Sequence, residues 1–145
     1  MDMWNLAADL GLAVVERRVE HRSGYWPDEQ VIYLTPGMPP RTLRCVLAHE
    51  IAHHILGHRP AVHGPIRRRQ EAAANEWAAK CLIDPDRYAE VEQLRDGHVA
   101  SMAHDLNVVP EILQVFRSRL LRVGDTVYVA PTLGVGGYSA RVEVA

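Results

Sequence analysis

At 145 residues the chain has room for one domain with its own core and not for two of ordinary size. Apolar residues make up 48% of it and charged residues 23%, a globular balance that argues against disorder. A formal net charge of −2 argues against a strongly electrostatic nucleic-acid binder, and the one basic run, Arg67-Arg68-Arg69, reads as a solvated helix start.

In chain order, Trp4 to Leu12 reads as a short helix. The mixed β-branched and polar stretch Ala13 to Val19 reads as a strand, and His21 to Gln30, with Gly24, Pro27 and Asp28, as a turn region. Val31 to Leu34 forms a second strand, stopped by Pro36 and Gly37. Pro39-Pro40 then introduces a helix from Arg41 to Gly57. Another helix runs from Ile66 to Ile83 and breaks at Asp84-Pro85, because proline disfavours helix in the residue before it. Helical segments follow at Arg87–Arg95, Val99–Leu106 and Pro110–Leu121. Thr126–Val129 and Ala140–Val144 are strand-like and flank Gly134–Gly137, a hairpin pattern. The class is α+β in a single domain, 1–145: helix and strands in 1–38, the motif helices in 39–85, a helical segment in 86–122 and terminal strands in 123–145.

No apolar run approaches the ~20 residues that span a bilayer, and Met1-Asp2-Met3-Trp4-Asn5 is not a positive leader ahead of an apolar run. No membrane partner is expected, and the location expected is the cytoplasm. Cys45 and Cys81 make no disulfide framework and read as small buried hydrophobes.

The chemistry lies in His49-Glu50-Ile51-Ala52-His53. At ~100° per residue, His49 and His53 sit only ~40° apart on one helix face, where two imidazoles can close on one metal ion. Nitrogen ligands at ~2 Å suit zinc. Glu50, on the flank of that face, reaches an attacking water more readily than the metal, which is the place of a general base. The bland alternative is a polar, solvated helix face. Against it, the surrounding helix is apolar (Leu43, Val46, Leu47, Ala48, Ile51, Ala52, Ile55, Leu56), and polar groups buried without a use are costly. His54 and His58 lie ~140° and ~180° round the wheel from His49. They read as surface or helix-end residues unable to share its metal. The longer pattern HExxHxxGxxH fails at Leu56 and Arg59, so the third ligand must come from elsewhere.

Arg44 to His53, taken with Glu71 to Pro85, resembles the ImmA/IrrE family of metallopeptidases. That family pairs a helix like RFTLAHELGH with a following helix close to ExEANxFAAxLLMP. Arg44, Leu47-Ala48-His49-Glu50 and His53 match the first; Glu71, Ala74-Asn75, Trp77, Ala78-Ala79 and Leu82 match the second. Ala52 replaces the usual glycine, Ala73 the second acidic residue, and Ile83-Asp84-Pro85 the Met-Pro ending; none of these is a metal or base position. The resemblance implies a zincin-like, gluzincin-type zinc site. It also implies a kinship often encoded by phages and mobile elements, some of whose members cleave a helix-turn-helix repressor, while others act in stress responses or toxin–antitoxin-like pairs. Met102 to Leu113 is similar to the helix pair downstream in the family. It also looks like a helix-turn-helix, but it holds no basic residue before Arg117, which argues against DNA reading.

Helix register separates the two acidic candidates for third ligand. Ala74, Asn75, Ala78 and Leu82 fall within ~60° of Glu71, on a small, apolar face that lets another helix approach closely. Glu76 points ~140° away, one turn before Lys80, where an exposed ion pair accounts for it. The expected metal ligands are therefore His49, His53 and Glu71, holding Zn2+, with Glu50 as base and Asn75 hydrogen-bonded to a ligand. The leading function is a metalloendopeptidase acting on a regulatory protein. A metal-containing interaction module without turnover is the alternative, and a zinc hydrolase of small amides a third reading. Tyr33, Tyr88 and His104 are candidates to stabilise an oxyanion, as hydrogen-bond donors only.

Overall fold

The computed structural model describes residues 2–17, 24–60, 64–123, 126–129 and 141–143. The chain divides into two compact units, Met1–Leu82 and Ile83–Ala145. The division falls just ahead of Asp84-Pro85.

In the first unit, α1 (Met3–Asp9) is opened by Asp2, whose carboxylate accepts from the Trp4 and Asn5 N–H groups. It ends earlier than its sequence suggests, because Gly11 adopts φ +74° and turns the chain into β1 (Ala13–Glu16). Strands β2 (Gly24–Trp26) and β3 (Val31–Leu34) complete a sheet of order β1-β3-β2, with β1 parallel and β2 antiparallel to β3. β2 corrects the reading of His21 to Gln30 as turn throughout. Tyr25 pairs with Ile32 and Trp26 with Val31, so backbone pairing with β3 overrides the local glycine and proline signals. The turn proper lies between β2 and β3, and residues 21–23 are outside the described residues.

Ile32 and Leu34 are fully buried, while Val31 and Tyr33 between them are half-buried. The long helix α2 (Pro40–Ile55) packs on β3 and β2, and on α1. Pro40 sits at its first turn, where a missing N–H costs nothing. α3 (Gly64–Leu82) packs along α2. The two run antiparallel: the Arg44 guanidinium near the start of α2 donates to the Leu82 carbonyl at the end of α3, 3.2 Å away, supplying a partner that a helix C-terminus lacks. Ala48, Ala52, Ala74 and Ala78 expose no surface. Small side chains along both helices allow the axes to come close.

In the second unit, α4 (Pro85–Arg95) is capped by Asp84 and followed by α5 (Val99–Asp105) and α6 (Pro110–Ser118). Tyr88, Val91, Met102, Val108, Leu113 and Phe116 form its core. α6 stops short of the expected Leu121, because β4 (Leu120–Val123) leaves the helix to pair antiparallel with β5 (Thr126–Val129), which pairs with β6 (Arg141–Glu143). Gly134–Gly137, the expected hairpin turn, lies outside the described residues. Arg117 is turned inward in this unit, donating to the Tyr88 hydroxyl and the Gly97 carbonyl. Among the described residues, no helix is long and apolar enough to cross a membrane.

Candidate metal centre

The antiparallel pairing of α2 and α3 that joins Arg44 to Leu82 brings the middle of α3 opposite the last turns of α2. His49 and His53 stand one turn apart, their rings edge to face with centroids 4.7 Å apart and Nε2 atoms 3.1 Å apart. From α3, Glu71 places Oε2 3.1 Å from His49 Nε2 and Oε1 3.2 Å from His53 Nε2. The three side chains offer ligand atoms within 4.8 Å of one another, close enough to hold one metal ion. The imidazoles are largely enclosed, at 17% and 13% exposure, whereas the Glu71 side chain is 49% exposed. The cluster therefore opens to solvent on the α3 side.

Each histidine is held from behind. His49 donates from Nδ1 to Asn75 Oδ1 at 2.8 Å, one turn of α3 beyond Glu71. The Nδ1 atoms of His53 and His58 are 2.9 Å apart. Burial, with the neighbouring His49, holds the His53 imidazole's pKa well below its usual range against the pull of Glu71, which favours the neutral form, the one that can accept a metal.

Glu50 is buried, with 7% of its surface exposed, in the wall of a cleft of about 350 Å³ that Tyr25, His53, His58, Arg59 and Glu71 also line. Its pKa is pushed up to about 8, by burial first and by the Glu71 carboxylate second, while a hydrogen bond from the Tyr25 backbone N–H opposes the shift. The strand that sequence patterns missed thus touches the site directly. Tyr25 is fastened to α2 as well, its hydroxyl 2.7 Å from His54 Nδ1.

Two expectations about the neighbouring histidines change. His54 is not a bare surface residue but the partner of Tyr25. His58 does not point to the far side of the helix from the ligands, because α2 ends at Ile55 and the wheel stops with it. Gly57 takes φ +68°; its N–H bonds the His54 carbonyl and the His58 N–H bonds the His53 carbonyl. This left-handed glycine cap folds the residue after the glycine back over the last turn, so His58 meets His53. A glycine four residues after the second motif histidine, followed by a histidine, was the available signal.

Glu76 is half-buried on α3 and is not part of the ligand cluster. Among the oxyanion candidates, the Tyr33 hydroxyl donates to Glu29, the Tyr88 hydroxyl accepts from Arg117, and His104 is exposed.

The family model described as Peptidase M78, IrrE N-terminal-like domain, matches residues 7–117, which include every residue of the cluster and of its hydrogen-bonded surround. No curated protein matches the chain.

Proposed function

The chain belongs to the Peptidase M78 family of IrrE N-terminal-like domains, and from that premise we propose that it is a zinc-dependent metalloendopeptidase that cleaves one regulatory protein, a helix-turn-helix repressor or antitoxin-like regulator. The observation that carries this reading is the convergence of two imidazole nitrogens and a carboxylate beside a second, buried carboxyl group in an open cleft. A tetrahedral ion with bonds of about 2.0–2.1 Å holds its ligand atoms about 3.3–3.4 Å apart. The two imidazole Nε2 atoms are 3.1 Å apart and each faces one Glu71 oxygen, at 3.1 and 3.2 Å, so a small shift of these side chains would seat such an ion. Two nitrogens and one oxygen are also the borderline donor set that suits zinc. Three protein ligands leave a position open, the pattern of catalytic and not structural zinc sites. This arrangement supports a gluzincin-type zincin site.

When bound, zinc polarises the scissile carbonyl and makes a water more acidic. Glu50 supplies the proton traffic. Its carboxylate lies in the cleft wall beside Glu71, where it can take a proton from the attacking water. The same proton then goes to the nitrogen of the leaving amine as the C–N bond breaks. The Tyr25 N–H holds the Glu50 carboxylate and leaves its remaining lone pairs for this transfer. Asn75 keeps His49 in the tautomer with a free Nε2. The cleft volume of about 350 Å³ suits a short extended segment of a substrate, at the small end of ligand sites. The regulator as substrate rests on the family resemblance. The inward-turned Arg117 fits a reading in which the protein binds no DNA itself.

The test compares wild type and Glu50→Gln, both zinc-loaded, on casein and on helix-turn-helix regulators. One specific cut in a regulator is expected, suppressed ~10²–10⁴-fold in the variant and abolished by chelation, with zinc content unchanged. Rapid, unselective digestion of casein overturns the substrate assignment. Zinc retained with tight regulator binding and no cleavage points instead to an interaction module without turnover.

A further inference from the structure

Metal-ligating histidines are oriented by whatever accepts the proton on their second ring nitrogen. For His49 that acceptor is Asn75 Oδ1, from the neighbouring helix. For His53 the group at the corresponding position is His58, whose Nδ1 lies 2.9 Å from His53 Nδ1. The rings tilt at 59° with centroids 5.2 Å apart, which leaves the Nδ1 atoms the near contact. The Nε2 atoms of His53 and His49 face each other and the Glu71 carboxylate, where a metal ion would take both lone pairs; with His53 Nε2 so engaged its ring proton sits on Nδ1, and His58 Nδ1, 2.9 Å away, accepts it.

We propose that His58 is a positioning residue for the site: by accepting from His53 Nδ1–H it fixes the His53 tautomer and ring orientation, presenting Nε2 as an open lone pair. The inference rests on the reading of His53 as a metal ligand. The cap after α2 makes the arrangement possible. In this motif the residue after the left-handed glycine returns to the residue three before the cap, usually as an apolar contact. Here the cap is Leu56, so the returning residue is His58 and the residue it meets is His53. A polar hydrogen bond replaces the apolar contact, and the helix terminus is built to hold its own metal-binding residue. An added Cβ at Gly57 meets nothing within 4 Å, so the glycine serves its positive φ and not a close approach.

The experiment measures zinc affinity by chelator competition for wild type, His58→Ala, His58→Phe and His58→Gln, with long-range ¹H–¹⁵N spectra of the metal-free proteins to read the His53 tautomer. His58→Ala and His58→Phe are expected to lower affinity by ~10–100-fold and to shift His53 toward the Nε2–H tautomer. His58→Gln, whose amide oxygen can accept the same bond, is expected to restore most of both. Unchanged affinity and tautomer in the Ala and Phe variants overturn the proposal. Complete zinc loss in all three variants, equal to His53→Ala, also overturns it, because His58 is then itself a ligand. A wild-type protein that binds no zinc defeats the metal reading separately, and the tautomer spectra still decide whether His58 holds His53. Should His58→Ala fail to fold, the Phe and Gln pair carries the comparison.

Discussion

Replacing Ala78 with leucine tests whether the alanine seam between α2 and α3 sets the metal site. Ala78 exposes no surface. It lies on the same face of α3 as Glu71, Asn75 and Leu82, which reach His49, His53 and Arg44 on α2. Leucine adds three carbons where nothing is open to solvent. Overpacking of this kind costs about 1–3 kcal/mol, and for a unit the size of Met1–Leu82 each kcal/mol lowers Tm by roughly 4–8 °C. The effect on the metal should be larger in proportion. Helix separation follows the side chains at the contact, and a shift on the order of 1 Å far exceeds the ~0.2 Å tolerance of metal–ligand distances. Zinc affinity is therefore expected to fall by more than ~10-fold, read by chelator competition, alongside a lower Tm of the metal-free protein by calorimetry. Ala72→Leu, at an exposed position of the same helix and with similar helix propensity, should change neither. An Ala78→Leu protein that is destabilised but binds zinc like wild type refutes the idea that seam width governs the ligand triangle.

Glu71→Gln is expected to shed zinc while Glu76→Gln keeps it, checked by metal analysis after gel filtration; the reverse result contradicts the assignment of Glu71, whose two oxygens face His49 and His53. In the second unit, Arg95 donates to both oxygens of Asp105 at 2.6 and 3.2 Å, and this hydrogen-bonding, chiefly, holds the Asp105 carboxyl below its usual range. A depressed carboxylate pKa contributes stability above the unfolded value of about 3.9 and loses it as pH falls through the folded value. The Tm gap between wild type and Asp105→Asn should accordingly be steady near neutrality and close below about pH 4; a gap that persists in strong acid shows that the pair's charge is not its source.

The parts of this protein legible in its sequence are those governed by local periodicity. The ~100° step of a helix puts His49 and His53 on one face and separates Glu71 from Glu76, and both results needed only the assumption that the segments are helical. The strand Val31–Leu34 and the break at Asp84-Pro85 likewise follow from residues adjacent in the chain. The shortfalls occur where a local rule met its boundary. β2 was hidden because Gly24 and Pro27 are turn residues by composition, while strand pairing with Ile32 and Val31 is a contact between segments. His58 was placed on the wrong side because the wheel was carried past a glycine cap that ends it.

Chain chemistry alone therefore determined which groups could hold a metal, since a residue's donor atoms and its angle on a helix are properties of the segment. Only the tertiary structure decided what surrounds them. Antiparallel packing of α2 on α3 brought Glu71 to the two imidazoles and Asn75 to His49. The sheet edge brought the Tyr25 N–H to Glu50, and burial there raised the affinity of that carboxylate for a proton. Burial and proton affinity depend on every atom within several ångströms, drawn from segments far apart in sequence, and no periodicity within one segment encodes them.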